Sequence, residues 1–371
     1  MSVPEVPDLR TELQSDQIYA LSLVYVSSLS LSVIGSLSVL VVSFTKRRIL
    51  NEQVQPLLQL ATANFLAAAV LLCTSAVNLV PLSQLLNRVL VCERGLPLSL
   101  TFFFISFLLI IIYGCESRQM VEVWKERSSQ SQDWGVTHRG AVEKQFTWNC
   151  WTKGCSPLYI VVWCVPIAGY FGYVFTESLT QADLFPAPSD ATVNESVSDH
   201  TKFCTSCILL LHIRNDGCSH VDSQHDVFLR WLLLASAVLV IICCLVMYCR
   251  VSDWLLTYEE RALFPVEGDG FSRKHLRGVR FTARSMVLVI VLCWSPALLL
   301  LGLSFVETVP QERLFPLYVL QALTVSLQGF LDSIVYAWLR RNFREAVLGE
   351  GVPLLARVPE AFFDDSLSRV R

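Results

Sequence analysis

A chain of 371 residues would ordinarily fold as two or three soluble domains, but 53% of this one is hydrophobic, only 16% is charged and the mean hydropathy is +0.50. Soluble domains carry about 25% charged residues, so this composition argues against a soluble globular chain and for a polytopic membrane protein. A net charge of −3 and a pI near 6.1 give no basis for nucleic-acid binding.

Residues 1–17 hold Glu5, Asp8, Glu12 and Asp16 against Arg10 alone. That is not the basic start of a cleaved signal peptide, so the first apolar run is expected to insert as its own signal. Uncharged runs then follow at 18–44, 54–80, 96–115, 155–176, 231–249 and 285–306, and a seventh at 314–339 is broken only by Asp332. Each holds 19 to 27 residues, and at about 1.5 Å per residue each can cross a hydrocarbon core of roughly 30 Å. Backbone groups in lipid must be satisfied within the segment, so these runs are read as helices. The expected fold is all-α, a seven-transmembrane helix bundle over residues 18–339, with 1–17 outside and 340–371 as a cytoplasmic tail.

Basic residues near span ends are held in the cytoplasm. The connections alternate sharply: those starting with Lys46, Arg47 and Arg48 hold 22 of the 29 Lys and Arg, and the other set holds seven. The amino terminus is therefore expected outside and the carboxyl terminus in the cytoplasm. Asn194-Glu195-Ser196 is the single Asn-x-Ser/Thr acceptor, and it falls in the long 177–230 connection on the outer side. Of thirteen cysteines, Cys92, Cys204, Cys207 and Cys218 also lie on that side, where oxidation is permitted. Four cysteines allow three pairings.

The same inventory argues against several chemistries. Intramembrane zinc hydrolysis needs His and carboxylate ligands on the spans, and all six histidines fall in connections. His200, Cys204, Cys207 and His212 have zinc-like spacing, but in an oxidising compartment a disulfide is the plainer reading. An intramembrane aspartyl protease needs two carboxylates at one site, and only Asp332 is well inside a span. No lysine stands in a span for a retinal Schiff base, and no Gly-rich phosphate loop is present. The chain is read as a non-enzyme with no cofactor and no metal.

The sixth run contains Cys293-Trp294-Ser295-Pro296, which resembles the Cys-Trp-x-Pro motif of rhodopsin-like G-protein-coupled receptors. Physically, Pro296 removes a backbone hydrogen bond and makes a hinge, with the bulky Trp294 as a lever. In the seventh run, Asp332-Ser333-Ile334-Val335-Tyr336 is similar to the family's Asn/Asp-Pro-x-x-Tyr. Ser333 stands where the motif has Pro, which leaves the usual distortion of helix seven without its usual cause. Arg340, Arg341, Phe343 and Arg344 follow at the place of the family's short amphipathic eighth helix, with Phe343 and Val347 on one lipid-facing side. Gln328-Gly329-Phe330 is closer to secretin-like and cyclic-AMP-type receptors, so the chain resembles a mixed rhodopsin-like and cAMP-receptor-like group. In the second run Leu60-Ala61-Thr62-Ala63-Asn64 matches Leu-Ala-x-x-Asp with Asn in place of Asp. Glu116-Ser117-Arg118 looks like a stretched acid-Arg-aromatic switch. The extra residue rotates Arg118 by roughly 100° on a helix, and a snorkelling surface Arg is the competing reading.

This resemblance implies a receptor that passes an extracellular ligand signal across the lipid bilayer to a heterotrimeric G protein. Asn64, Trp294, Pro296, Asp332 and Tyr336 would form its switch, and Arg118, Tyr248, Arg340 and Arg341 its partner face. The residue types usual at Asn64 and Asp332 are exchanged, and the two are expected to face each other directly, through water or through a sodium ion. Cys92 occupies the position from which such receptors bridge to the second outer loop; Cys218 is the first choice of partner, with Cys204 and Cys207 left as another pair. The bridge would draw the apolar stretch Ile208-Leu209-Leu210-Leu211 over the bundle mouth as a lid or as simple loop packing. Asn78, Glu93, Asp226, Arg230, Glu307, Tyr318 and Gln321 stand near the outer span ends and select no ligand class. The competing readings are a seven-helix transporter or channel, which would be expected to show internal repeats and paired broken helices, and a receptor-shaped scaffold that does not couple.

Overall fold

The computed structural model of the protein describes residues 13–45, 55–79, 91–92, 94–113, 156–180, 207–209, 231, 234–235, 237–246, 249, 270–303 and 311–338. Among these residues regular structure is entirely helical. In chain order the helices are α1 (Ser15–Thr45), α2 (Gln55–Val77), α3 (Arg94–Tyr113), α4 (Ser156–Thr180), α5 (Ala237–Val246), α6 (Gly270–Leu303) and α7 (Gln311–Ser333). A π-helical turn, Ile334–Trp338, continues α7.

Five stretches are long and apolar enough to cross a membrane: Ser15–Thr45, Pro56–Val77, Arg94–Tyr113, Leu158–Thr176 and Arg313–Ser333. Shorter apolar stretches lie in α5 and at Val287–Leu303 of α6. The polarity is inverted relative to a soluble protein. Ile34, Phe44, Ile160, Val165, Phe171, Phe175 and Leu239 are exposed, whereas Asn64, Ser106, Gln321, Gln328 and Asp332 are buried. Such an apolar exterior is what lipid covers and water rejects. The helices are those of a multi-pass membrane protein.

Side-chain pairings set the helix directions. Tyr25 meets Gln321 and Ser36 meets Gly329, so α1 and α7 run parallel. Ser99 bonds the carbonyl of Ala67, while Ser106 bonds Asn64, so α2 and α3 run antiparallel. Phe102 against Trp163 and Tyr170 against the Arg94 carbonyl make α3 and α4 antiparallel too. The end of the bundle at which α1 and α7 begin and α2 ends is called the upper end below.

Lipid tails are as apolar as leucine, so burial of apolar surface does not by itself drive helices together in a bilayer; close packing and interhelical hydrogen bonds do. The buried face of α1 shows the solution: Ile18, Ser22, Tyr25, Leu29, Ser32, Ser36, Val39 and Ser43 recur every three or four residues, with half of them serine. A seam of period 3.5 keeps one face on its neighbours along the whole helix. That face packs on α7 and α2. Small residues permit close approach: a Cβ on Gly35 would stand 3.2 Å from the Phe330 Cα, and one on Gly329 would stand 2.5 Å from Ser32 Oγ. At the upper end, a Cβ on Gly95 would collide with the methyl of Thr74.

Two boundaries differ from the apolar runs. The α6 helix starts at Gly270, 15 residues before its uncharged run, because a basic helix can continue from hydrocarbon into water without changing its backbone hydrogen bonds. The seventh run contains a change of helix type at Ile334 rather than one continuous α-helix. There, hydroxyls intrude on the backbone ladder: Ser333 Oγ donates to the Gly329 carbonyl at 2.6 Å, Ser36 Oγ donates to the same carbonyl at 3.5 Å, and the Phe330 N–H donates to Ser32 Oγ at 3.1 Å. Competing hydroxyls bend or widen helices. Helix seven is thus distorted beside Ser333 even though the motif's Pro is missing. The expected eighth helix, with Arg340 and Arg341, lies outside the described residues.

Candidate functional site

Five buried side chains from four helices form one hydrogen-bonded chain through the middle of the bundle. Trp294 Nε1 on α6 donates to Gln328 Oε1 on α7 at 2.7 Å, and Gln328 Nε2 donates to Ser106 Oγ on α3 at 3.5 Å. Ser106 Oγ donates to Asn64 Oδ1 on α2 at 2.8 Å, and Asn64 Nδ2 donates to Asp332 Oδ2, back on α7, at 2.8 Å. None of the five is more than 4% exposed.

With Asp332 as an ionised carboxylate, the chemistry of the two ends fixes the direction of everything between them. An indole N–H can only donate, and an ionised carboxylate can only accept. Between those ends, each amide and the hydroxyl has one arrangement that satisfies its neighbours: accept from the Trp294 side, donate toward the Asp332 side. Reversing one member would set two donors or two acceptors face to face. The chain is therefore a one-way set of contacts in which α2, α3, α6 and α7 hold each other's rotamers. Buried networks of this type are rigid when satisfied and costly when one member is removed.

Each member has its place from the helix it sits on. Gln321, Gln328 and Asp332 are seven and four residues apart, on one face of α7. Ser99 and Ser106 share one face of α3 by the same spacing, and that face lies on α2. Trp294 is held from its other side by Phe103 and Phe107 of α3, edge-on at centroid distances of 5.5 and 5.0 Å. Such aromatic pairs prefer edge-to-face contact, so the indole cannot turn without disturbing both rings. Pro296 is buried half a turn further along α6. Its missing N–H leaves the Leu292 carbonyl without a helical donor, which weakens α6 at the level of Trp294. Asp332 Oδ1 has no hydrogen-bond partner among the described residues.

A second polar cluster lies at the upper end. Tyr25 OH donates to Gln321 Oε1 at 3.1 Å, and both side chains are fully buried. Asn78, one residue past α2, donates through Nδ2 to Ser22 Oγ at 3.2 Å and accepts at Oδ1 from the Cys207 backbone N–H at 3.2 Å. Cys207 is joined to Cys92 by a disulfide with a Cα–Cα distance of 5.0 Å.

Of the residues singled out from sequence, Asn64, Trp294 and Asp332 are brought into this one chain, and Asn64 and Asp332 touch without an intervening group. Pro296 flanks it. Tyr336 lies in the π-helical turn, its side chain outside the described part. Arg118, Asn194, Tyr248, Arg340 and Arg341 lie outside the described residues, as do Glu93, Asp226, Arg230 and Glu307. The Cys92 partner requires a correction: it is Cys207, not Cys218. Nearness to span five favoured Cys218, but the residues beside Cys207 decide the matter, because Ile208 and Leu209 are 2% and 3% exposed and carry Cys207 into the bundle with them. Ser106 is not among the residues the sequence singles out, and Gln328 stands there only for its motif. The signal for both was a polar residue at helical spacing from another polar residue inside an apolar run.

Among the described residues no three His, Cys, Asp or Glu side chains cluster as a metal site. No protein-family model matches the chain.

Proposed function

We propose that this protein is a signalling receptor of the surface membrane, resembling G-protein-coupled receptors, with its amino terminus outside. An extracellular ligand would favour one arrangement of α6 and α7, and that arrangement would open a basic cytoplasmic face to a heterotrimeric G protein. The observation that carries the reading is the one-way polar chain from Trp294 to Asp332. It joins the proline-weakened α6 to the distorted end of α7 through α3 and α2, so a ligand that broke it would free those two helices to rearrange. A ligand can shift the balance of arrangements only by binding one of them better than the other. The orientation rests on the Lys and Arg asymmetry between connections. Arg118, Tyr248, Tyr336, Arg340 and Arg341 are proposed to border the partner face, and Asn194 to carry a glycan outside.

Co-expression with a panel of chimeric G proteins, recording basal signalling before any ligand is known, tests the reading. We expect at least one chimera to give a signal above that of cells without the protein. Trp294→Phe and Gln328→Leu should alter that signal without a matching change in surface protein. Silence with every chimera, from protein shown to be at the surface, would count against coupling and favour a receptor-shaped scaffold.

A further inference from the structure

The face that α6 turns toward lipid does not end where its apolar stretch ends. Ile290, Trp294, Ala297 and Leu301 are buried, whereas Leu288, Leu292, Ser295 and Leu299 are exposed and follow one another by three or four residues. That spacing places the exposed set on one line along the helix, and within the apolar stretch Val287–Leu303 the line meets acyl chains. Stepped backwards by the same three or four residues, it runs through Arg284, which is exposed, and then through positions 280, 277 and 273. All four are arginine, at the register of the lipid-facing line. Between Gly270 and Ser285 there is no Asp or Glu, so no acid on this part of α6 answers them. Like charges three or four apart oppose a helix, and Gly278 in its interior opposes it as well, yet α6 is continuous from Gly270. A helix so arranged calls for an anion from outside itself.

We propose that this arginine line is a binding site for a phospholipid whose headgroup carries several phosphates, a phosphorylated inositol lipid, with its acyl chains along Leu288, Leu292 and Leu299. Tail and head then lie on one line of one helix, which a soluble anion or an acidic protein segment has no reason to follow. The depth of the line selects the headgroup. The interfacial layer on each side of a hydrocarbon core is about 5–8 Å deep, whereas the line from Arg273 to Arg284 rises through 11 residue steps, about 16 Å. A glycerol phosphate stands level with Arg284, three residues before Val287. Only phosphates on the outer side of a large headgroup stand level with Arg280 and Arg277. Arginine suits them because its planar fork takes two phosphate oxygens at once. Occupancy would pin the arm of α6 that precedes Pro296 to the bilayer surface. Only the choice of the cytoplasmic leaflet rests on the orientation proposed above, and the binding test does not.

The purified full chain in detergent micelles is titrated with dioleoyl phosphatidylinositol bisphosphate, and bound lipid is counted by native mass spectrometry. This lipid should bind at least about tenfold more tightly than dioleoyl phosphatidylserine, since it engages more of the arginines at about fivefold each. On the same scale Arg280→Gln should weaken it about fivefold, and Arg277→Gln with Arg280→Gln and Arg284→Gln about 100-fold. The charge-matched variant at the end of α1, Lys46→Gln with Arg47→Gln and Arg48→Gln, should bind nearly as the unchanged chain does. Equal losses in the two triple variants would reduce the site to general charge attraction and overturn the line, as would undiminished binding by Arg280→Gln. Phosphatidylserine bound as tightly as the bisphosphate would overturn the headgroup class. Displacement of the lipid by an equal concentration of soluble inositol trisphosphate, or of hexaglutamate, would overturn the choice of a lipid over a free phosphate or an acidic protein segment.

Discussion

The α4 and α7 helices have similar lengths, 25 and 23 residues, and both are apolar enough to cross a membrane, yet they do opposite work. Only 17% of the apolar window of α4 is buried, against 44% for α7. The α4 surface carries exposed Ile160, Val165, Phe171 and Phe175, and a Cβ added to Gly169 or Gly172 would meet nothing among the described residues. By contrast, α7 is lined with buried Gln321, Ser326, Gln328, Asp332 and Ser333, and its glycine at 329 is pressed against α1 and α2. The difference teaches that mean hydropathy marks where a helix lives, whereas the few polar residues and their spacing mark which helix the others are organised around. In lipid, a polar group with no partner has no water to turn to, so Gln321, Gln328 and Asp332 of α7 constrain the helices that answer them.

The strongest way to break this contrast is to remove a partner inside the chain. Asn64→Leu would strand both Ser106 and the buried carboxylate of Asp332. A cost of about 3 kcal/mol or more is expected, the upper range for orphaning a buried group next to a charge. It should appear as a large fall in thermal midpoint in detergent and in surface expression. Next is Gly329→Val, which would push into Ser32 Oγ, Ser36 Oγ and the Asn64 Cβ, for a loss of about 1–3 kcal/mol from overpacking. A smaller effect is expected of Trp294→Phe, which keeps the aromatic contacts with Phe103 and Phe107 but leaves Gln328 Oε1 unpaired, about 1–2 kcal/mol. Gly172→Ala in α4 completes the series. It should leave the midpoint unchanged or raise it by up to about 1 kcal/mol equivalent, because the added methyl meets no described neighbour and removes a glycine from a helix interior. A Gly172→Ala penalty as large as that of Gly329→Val would mean that α4 has a protein neighbour.

Much of the architecture could be read from sequence because the physics of a spanning helix is local: five of the seven uncharged runs coincide with helices of similar extent, the sixth run lies mostly within the longer α6, and α5 is described over part of its run. The start of α6 at Gly270 could not be read this way, since an apolar run reports contact with hydrocarbon and not the backbone ladder that carries Arg273, Lys274 and Arg277 in the same helix. Asn64 and Asp332 stood out because each departs from a known pattern in a complementary way. Ser106 did not, because one serine in an apolar run carries no sign of which way it faces; only its seven-residue spacing from Ser99 would have shown that. The cysteine pairing needed two facts taken together: that Ile208 and Leu209 must leave water, and that the cysteine adjoining them travels with them.

The central claim is that Asn64 and Asp332 are coupled as the closing link of the chain, and exchanging them tests it most directly. Asn64→Asp alone would set two carboxylates against each other, and Asp332→Asn alone would remove the acceptor charge at the end of the chain. In the exchanged double variant Ser106 could still donate to residue 64, and the amide at 332 could donate back to it, so the contacts are restored in the opposite sense. A double-mutant cycle on thermal midpoint and surface expression should show both single changes impaired and the exchanged pair recovering much of the loss, with a coupling energy of about 1 kcal/mol or more. Strictly additive losses, with the double variant as impaired as the two singles combined, would contradict the coupling.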